Sequence, residues 1–482
     1  MHQNLLDQLR CPYCTGNFTL TINLKSHKDR VLYGSVECNC FEFPIIDGVL
    51  LLSLTQGYGG SEGKLIPYES FMAAVIVFIH TGDLDGLRAW IEKNSPILAQ
   101  LIYREELSFV DFNIAYTRQF HTHNARYLDE QKRQYGVVGE SLGEGALPAD
   151  EQGESVYPKT FEDMLYRKMA SGGNFYAKRY FDSSMSVTRN FLLHNKPDDY
   201  LLSLCFGQGV FESVAREHVP ADKMISLDAQ LINIFITKRF IHPDGLYICH
   251  DLYFPLPFRD GFLSAVFAST CLPELVNQAQ VVRELARVTS PEGWGLIEHI
   301  WTGKMMRYVP NRYYRYMQNF FASFDNYLTL LNNTCDPGRT HLTGYGYGEY
   351  MLDTVNAFTP LVEMEHIDDD ATGMISILTS AKPREIGRKV VALTDAEAER
   401  LRLSPMYALE REGGTLRGTF QKDLRDFMQM TSPDTFEMDV TRLDERTYLT
   451  ELYQAGVLLL LPEPLVDHFP PLNQWADLPE SA

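Results

Sequence analysis

The sequence predicts an α/β fold with a doubly wound, mostly parallel sheet in residues 172–383. From about Asp198, short apolar runs of strand length alternate with amphipathic stretches of helix length. Because parallel strands need crossover connections, usually helices, this alternation indicates βαβ units with helices on both faces of one sheet. A second observation is the turn containing Gly207 and Gly209, which follows the first apolar run. Sheets of this kind bind ligands beyond the carboxyl ends of their strands, so this turn is a candidate ligand site.

The composition limits the classes of partner. The chain has 482 residues, which is too long for one ordinary core, so we expect several domains. Its 43 basic and 63 acidic side chains give a formal net charge of −20. This balance disfavours nucleic acid and anionic membranes as broad partners. No apolar run approaches the roughly 20 residues of a membrane span, and no secretory signal is visible at the N-terminus. We therefore expect a cytoplasmic protein, of an oligomeric state that the sequence does not indicate.

Four of the eight cysteines, Cys11, Cys14, Cys38 and Cys40, are crowded into residues 1–54. Two pairs of thiolates at the tips of two hairpins can close a tetrahedral zinc site, and a closed site of this kind is structural. The metal would supply folding energy that so small a region lacks. The alternative is a set of free buried cysteines. A redox role for the first pair is less favoured, because no helix follows it.

The segments LLDQLRCPYC and VECNCFEFPIIDGVLLL resemble a family of small zinc-ribbon activators that act as methyltransferase partner subunits. The family's ending, Y-P-I-x-D-G-x-P, reads Phe43 to Val49 here and lacks the tyrosine and the final proline. The resemblance covers about 50 residues. It implies a zinc ribbon in residues 1–54 that packs against a methyltransferase, here within one chain.

The regions flanking the predicted sheet carry fewer signals. Residues 55–171 predict amphipathic helices, followed by a glycine-rich acidic stretch at 136–158 that is typical of a solvated linker. Residues 384–482 open with a helix-capping pattern at Thr394–Glu397 and continue as mixed helix and strand. We predict a C-terminal α+β appendage there, of unknown role.

The segment from Leu202 to Gly209 resembles the first motif of class I S-adenosylmethionine-dependent methyltransferases, although only the last two glycines are kept. Ser203 stands where an acidic residue is common, and Cys205 stands where the first glycine would be. An ordinary strand–helix turn is the alternative. Asp228 ends the next predicted strand, where a carboxylate can accept two hydrogen bonds from a ribose diol. Its alternative role is a helix cap.

Two further stretches resemble the same family. Asp251, Leu252 and the run Pro255–Phe258 match its D-x-x-x-L-P-F segment, which implies that the carboxylate meets the adenine amino group beside apolar neighbours. Glu284–Gly293 matches its E-L-x-R-V-L-x-P-G-G stretch. The resemblance implies a Rossmann-like, seven-stranded sheet that binds S-adenosylmethionine. The candidate cofactor residues are Cys205, Gly207, Gly209, Asp228, Asp251 and Leu252.

The candidate catalytic residues are Glu298 and His299, which we expect at the end of the fifth strand of the sheet. Methyl transfer mainly requires alignment of donor and acceptor, and a base is needed only when the acceptor must lose a proton. His299 is the first choice for that base. Its alternative is a hydrogen-bonded structural histidine. Aromatic residues in 166–181 and 308–327 would enclose the acceptor, unless they serve helix packing.

Three functions follow from these features. The first is a methyltransferase that acts on a small-molecule, carrier-bound or peptide acceptor. The second is an RNA methyltransferase, because one family of ribosomal-RNA guanine methyltransferases joins a zinc ribbon to this fold, and because Arg307, Arg312 and Arg315 lie among tyrosines. The acidic total, and the lack of basic clustering in residues 1–54, argue against it. The third is a recognition protein that binds the cofactor without catalysis.

Overall fold

The computed structural model falls into two compact units, Met1–Arg104 with Ser183–Thr394 and Glu105–Asp182 with Asp395–Ala482. No helix in the described part of the chain is long and apolar enough to cross a membrane. The structure describes residues 1–54, 57–59, 65–116, 179–181, 185–275, 277–301, 324–336, 338–345, 359–363, 374–380, 384, 391–421 and 433–477.

The described part of the first unit contains one large sheet, a separate two-stranded sheet formed by β5 and β6, and helices. Its strands are β1 Thr19–His27, β2 Arg30–Glu37, β3 Glu42–Ile46, β4 Val49–Leu51, β5 Gly57–Gly59, β6 Leu65–Pro67, β7 Leu201–Leu204, β8 Met224–Asp228, β9 Leu246–Cys249, β10 Leu263–Ser269, β11 Thr289–Trp301, β12 Thr340–Tyr345, β13 Thr359–Pro360 and β14 Met374–Ser380. Its helices are α1 Gln3–Leu6, α2 Tyr68–Thr81, α3 Leu84–Asn94, α4 Pro96–Tyr103, α5 Met185–His194, α6 Val210–Ala215, α7 Leu231–Ile236, α8 Gln278–Val288 and α9 Phe324–Thr334.

The strand order of the large sheet is β1-β2-β3-β4-β9-β8-β7-β10-β11-β14-β12-β13. The strands from β4 to β11 in this order are parallel, β14 runs antiparallel to β11, and β12 runs antiparallel to β14. The chain runs from β7 outward to β9 on one side and then from β10 to β11 on the other. The order therefore reverses beside β7, which confirms the doubly wound arrangement and places the switch point there.

The sheet has 12 described strands rather than the predicted seven. The N-terminal region contributes four of the additional strands, because β4 pairs in parallel with β9 and continues the sheet into β3, β2 and β1. The short β13 is the fifth. An uncovered strand edge leaves backbone hydrogen-bonding groups unpaired, and the apolar run Val49–Leu51 satisfies those of β9. The cysteine-bearing region thus belongs to the same unit as the central sheet.

The core of the first unit lies where α5 and α6 cover the sheet. Phe211 of α6 stacks on Phe267 of β10 with ring centroids 4.0 Å apart. Phe191 of α5 meets Trp294 of β11 edge-on at 5.0 Å, and the Trp294 indole donates to the carbonyl oxygen of Asn195. Each such buried aromatic stabilises the fold by about 1.5–3 kcal/mol. The core therefore fixes the strands whose ends carry the candidate site.

The second unit mixes helices with antiparallel strands. The strands β16 (Tyr407–Glu412), β17 (Thr415–Phe420) and β18 (Thr435–Asp439) form a meander. Alternate residues of β17 are buried, as expected for a sheet with one face on a core. Further elements of this unit are α10 Asp395–Glu399, β15 Leu401–Leu403, α11 Arg446–Gln454, β19 Leu458–Leu460 and α12 Glu463–Val466, with β15 paired to β19.

Candidate functional site

The carboxyl ends of three adjacent strands carry unusual backbone conformations. Cys205 follows β7, Thr270 follows β10 and His299 lies near the end of β11, with φ values of 52°, 59° and 54°. A left-handed backbone is costly for residues other than glycine, and such conformations cluster at functional sites. This edge of the sheet, beside the switch point, is therefore the candidate site.

The predicted glycine turn lies at this edge, between β7 and α6. Gly207 and Gly209 both have positive φ, at 57° and 84°. A Cβ atom on Gly209 would lie 2.5 Å from Cγ2 of Thr237, so any other residue would also require Thr237 to shift. The two glycines that the sequence keeps are those that the turn requires.

Asp228 is the last residue of β8 and braces this turn. Its Oδ2 accepts a hydrogen bond from the Gly207 backbone N–H at 3.0 Å, and its Oδ1 accepts one from Gln230 N–H at 2.7 Å. Burial raises the pKa of Asp228 to about 6, although the backbone hydrogen bonds oppose this shift. The sequence predicted a ligand-binding carboxylate here. The hydrogen bond to the turn is a role that the sequence did not predict.

The segment after β9 carries the next predicted residues. Asp251 is buried and its Oδ1 accepts a hydrogen bond from Tyr253 N–H at 3.0 Å, while Leu252 is buried beside it. Nε2 of the buried His250 lies 3.0 Å from the carbonyl oxygen of Pro255. Burial lowers the pKa of His250 to about 4, so this histidine is neutral at neutral pH.

Glu284 and Arg287, on α8, hold the same segment in place. The Glu284 carboxylate accepts a hydrogen bond from Leu256 N–H at 2.7 Å. Arg287 donates to the carbonyl oxygens of Leu256 at 2.9 Å and Phe258 at 2.7 Å, and it also pairs with Glu284. The sequence identified this motif by resemblance but not what it does. In the structure it is a clamp on the Leu256–Phe258 backbone, a role that depends on the fold.

Glu298 and His299 form a β-bulge. The two residues together stand opposite Ser376 of β14, and β11 continues beyond them to Trp301. The prediction that they end the strand is therefore wrong. A bulge adds one residue to a strand and redirects the side chains around it, which is common beside active sites.

The side chains of this bulge are buried and hydrogen-bonded. Oγ of Ser269, at the end of β10, lies 3.2 Å from Nδ1 of His299. Thr188 of α5 donates to the Glu298 carboxylate at 2.9 Å and 3.1 Å. Oε2 of Glu298 lies 3.9 Å from His299 Nδ1. No pattern in the sequence indicated Thr188. Ser269 could have been identified as the last residue of a predicted strand at the same edge.

The four N-terminal cysteines come together, with their sulfur atoms all within 4.8 Å of one another. The separations are 3.5 Å for Cys11 and Cys40, 3.7 Å for Cys14 and Cys38, and 3.3 Å for Cys38 and Cys40. Tetrahedral zinc with Zn–S bonds of about 2.3 Å requires sulfur–sulfur separations of about 3.8 Å. A backbone hydrogen bond from Gly16 lowers the pKa of Cys14 to about 7, whereas burial raises the pKa of Cys11 to about 11 and that of Cys40 well above its ordinary value. The donor set fits a tetrahedral metal ion.

The cysteine-bearing region also contacts the segment after β9. The ring of Tyr13, between the first two cysteines, lies 4.8 Å from that of Phe254. Arg10 N–H donates to the carbonyl oxygen of Pro257 at 3.0 Å, and Leu9 forms a bridge with Phe258. The segment that carries Asp251 is therefore held on one side by α8 and on the other by the N-terminal region.

Several predicted features lie outside the described residues. These are the linker at 136–158, Arg307, Arg312, Arg315, and the aromatic segments apart from their last residues, 179–181 and 324–327.

Comparisons with known proteins concern the central sheet. A family model described as a methyltransferase domain matches residues 202–297. No curated protein matches the sequence. Among solved structures, an S-adenosylmethionine-dependent methyltransferase from Thermotoga maritima is 11% identical, over 43% of this chain and 93% of its own, with a TM-score of 0.31.

Two other solved structures are similar to the same extent. A chain from a Haloferax volcanii complex of a methyltransferase activator with a protein described as a methyltransferase is 13% identical, covering 46% of this chain and 98% of its own, with a TM-score of 0.33. The plantazolicin methyltransferase, solved with SAH, is 12% identical, covering 44% and 92%, with a TM-score of 0.33. Likenesses this low say nothing about acceptor or partners. The family match shows that residues 202–297, which span the parallel strands on both sides of the switch point, are similar to a methyltransferase domain.

Proposed function

We propose that this chain transfers a methyl group from S-adenosylmethionine to a small-molecule, carrier-bound or peptide acceptor. The observation that carries the proposal is the strained carboxyl end of β7, β10 and β11, where the glycine turn and the Glu298–His299 bulge lie at the same end of the sheet with β10 between them. Methyl transfer to an atom that must lose a proton needs a base close to the cofactor, and the buried Glu298–His299 pair would supply it.

The cofactor residues in this proposal lie along that edge. Gly207 and Gly209, with the neighbouring Cys205, allow close approach of the backbone, and Asp228 has carboxylate lone pairs left for a ribose diol. Asp251 and Leu252 would flank the adenine. These residues fit S-adenosylmethionine, because buried carboxylates can accept hydrogen bonds from its ribose hydroxyls and attract its positive charge. When bound, S-adenosylmethionine supplies an electrophilic methyl group on its sulfonium.

His299 is the general base in this proposal, and Glu298 and Ser269 orient it. The Glu298 carboxylate near Nδ1 favours a proton on that nitrogen, which leaves the Nε2 lone pair to accept a proton from the acceptor. Thr188 holds the carboxylate in place through its hydroxyl. A base is useful only if the methylated atom carries a proton, so the acceptor class is one with an O–H or N–H group.

The four cysteines bind a structural zinc ion in this proposal. A zinc ion bound by Cys11, Cys14, Cys38 and Cys40 would hold the Cys11–Cys14 turn in place, and this turn contacts the segment that carries Asp251. The N-terminal region would then support the methyltransferase domain of its own chain. The small zinc-ribbon activators that it resembles do this for a separate partner subunit.

Titration calorimetry with S-adenosylmethionine tests the cofactor site. We expect binding by the natural protein and a loss of tenfold or more in affinity for Asp228→Ala, since charge-assisted hydrogen bonds contribute about 1.5–3 kcal/mol. Asp222→Ala, an exposed aspartate just before the same strand, is the matched control and should bind normally. Unchanged binding by Asp228→Ala would contradict the site, and absence of binding by the natural protein would contradict the function.

Label transfer tests the acceptor class. A donor with a labelled methyl group, incubated with separated metabolite, peptide and RNA fractions, should label the metabolite or peptide fraction and release S-adenosylhomocysteine. Labelling of RNA, with binding that weakens steeply with salt, would favour the RNA methyltransferase instead. Cofactor binding without product in any fraction would favour the recognition protein.

A further inference from the structure

Two arginines lie side by side where the N-terminal region meets the segment after β9. Leu9 and Phe258 form an antiparallel bridge, and the backbone N–H groups of Arg10 and Arg259 each donate to a carbonyl oxygen of the opposite chain, at 3.0 Å and 3.2 Å. Side chains alternate between the two faces of such a pair of chains. Arg10 and Arg259 therefore share the face opposite to the two bridging side chains, which are both buried.

The two guanidinium groups can reach one ion. Arg10 and Arg259 are diagonal neighbours across the bridge, so their Cβ atoms are no more than about 7–8 Å apart. Arginine side chains are long enough to converge over that span. Gln8, directly opposite Arg259 on the same face, would add an amide donor. The face is completed by Pro257, so it offers several hydrogen-bond donors and has no acidic side chain of its own.

Neither guanidinium group is paired within the part of the chain that the structure describes. Nη1 of Arg10 and Nε of Arg259 are shut off from solvent without a hydrogen-bond acceptor, and no carboxylate forms an ion pair with either residue. Buried donors are nearly always satisfied, so each exception requires an explanation. Asp260, the next residue in the chain, pairs instead with Arg287 at 2.7 Å. Two unpaired positive charges this close are unexpected in a chain with a formal net charge of −20.

We propose that Arg10 and Arg259 form a binding site for a phosphate group, separate from the proposed methyl-transfer site. Two neighbouring positive charges repel each other, and water would satisfy their hydrogen bonds but would not neutralise them. A guanidinium fork matches the geometry of phosphate oxygens, and a phosphate dianion balances both charges. A carboxylate fits less well, because it has one negative charge and only two oxygen atoms for the donors of three side chains. This site would be present whether or not the chain transfers a methyl group.

Calorimetric titration with inorganic phosphate, in a buffer free of other multivalent anions, tests the site. We expect the natural protein to bind one phosphate ion per chain. Arg259→Gln and Arg10→Gln should each weaken binding about tenfold or more, because each removes charge-assisted hydrogen bonds to the ion. Arg283→Gln is the matched control, since it removes one positive charge from an exposed position on α8, and it should change the affinity by less than about twofold.

Two further ligands define the chemistry of the site in the natural protein. Glycerol 3-phosphate carries a phosphate monoester, and binding as tight as that of inorganic phosphate would show that the site accepts a phosphate group carried by a larger molecule. Binding of inorganic phosphate alone would show that the site takes the free ion. Acetate should bind at least about tenfold more weakly than inorganic phosphate. These comparisons use the natural protein and do not depend on the folding of a variant.

Thermal unfolding provides a second readout. Saturating phosphate should raise the unfolding midpoint of the natural protein but not that of Arg259→Gln, because a ligand stabilises only the folded state that binds it. Without phosphate, the midpoint of Arg259→Gln should be no lower than that of the natural protein, since the variant removes a repulsion. Failure of both phosphate ligands to bind, equal weakening by Arg283→Gln, or acetate binding as tight as that of phosphate would overturn the proposal. None of these results would affect the proposed methyltransferase activity, which is judged by cofactor binding.

Discussion

The ring of Tyr13 packs against that of Phe254 with centroids 4.8 Å apart and planes inclined by 60°. This contact joins the turn between Cys11 and Cys14 to the segment that follows β9. The Tyr13 hydroxyl is fixed as well, since it donates to the carbonyl oxygen of Leu52 at 2.8 Å. One side chain thus connects the cysteine cluster with the candidate cofactor segment.

We expect Tyr13→Ala to lower the free energy of unfolding by about 2–4 kcal/mol, because it removes a large ring from an aromatic cluster. Tyr13→Phe keeps the ring and loses only the hydroxyl bond, which is worth about 1 kcal/mol. Urea unfolding of the two variants measures the difference. Equal losses in both would show that the ring contact contributes nothing.

The cysteine cluster should hold one zinc ion per chain, measured by atomic emission. We expect a strong chelator to lower the midpoint of thermal unfolding by several degrees or more, because metal binding to the folded state adds directly to its stability. Cys14→Ser should lose the metal, whereas Cys335→Ser, remote in sequence from the cluster, should keep it. A metal-free chain whose unfolding midpoint is insensitive to chelator would contradict the zinc site.

The clamp on α8 should depend on the shape of the arginine side chain as well as its charge. Lysine cannot reproduce the fork that reaches Leu256, Phe258 and Glu284 together, so we expect Arg287→Lys to destabilise the protein by about 1.5–3 kcal/mol. Cofactor affinity should fall too, since the clamped backbone follows Asp251. Arg283→Lys, exposed on the same helix, is the control, and an equal effect of both variants would exclude a specific clamp.

Much of the central fold could be predicted because its signals are local. The run that became β8 ends at Asp228 in the sequence and in the structure. The turn at Gly209 has a positive φ, which glycine adopts most readily, and its side lies against Thr237. A glycine after an apolar run was therefore enough to indicate the turn from the sequence. Strands buried on both faces read as apolar runs, and their carboxyl ends meet at one edge. These rules alone predicted the position of the candidate site.

What could not be predicted depends on contacts between distant residues. The pairing of Val49–Leu51 with β9 joins residues about 200 positions apart, and nothing in either strand specifies the other. The bulge at Glu298 and His299 arises from their register against β14. The hydrogen bond from Thr188 to Glu298 depends on how α5 packs over that bulge, which the sequence does not indicate.

The buried carboxylate of Glu212 should make the ligand-free protein less stable at high pH. Burial raises its pKa from the usual 4.5 to about 7, so folding favours the protonated form. That contribution is fully present below pH 4.5 and is lost as the pH rises through 7. Glutamine has nearly the shape of the protonated side chain but never ionises. We therefore expect Glu212→Gln to be more stable than the natural protein at pH 8, by on the order of 2 kcal/mol, and nearly equal to it at pH 4.5. Urea unfolding at the two pH values measures this, and the comparison cancels the titration of Asp228, which both proteins share. The same stability difference at both pH values would mean that Glu212 is not the titrating group.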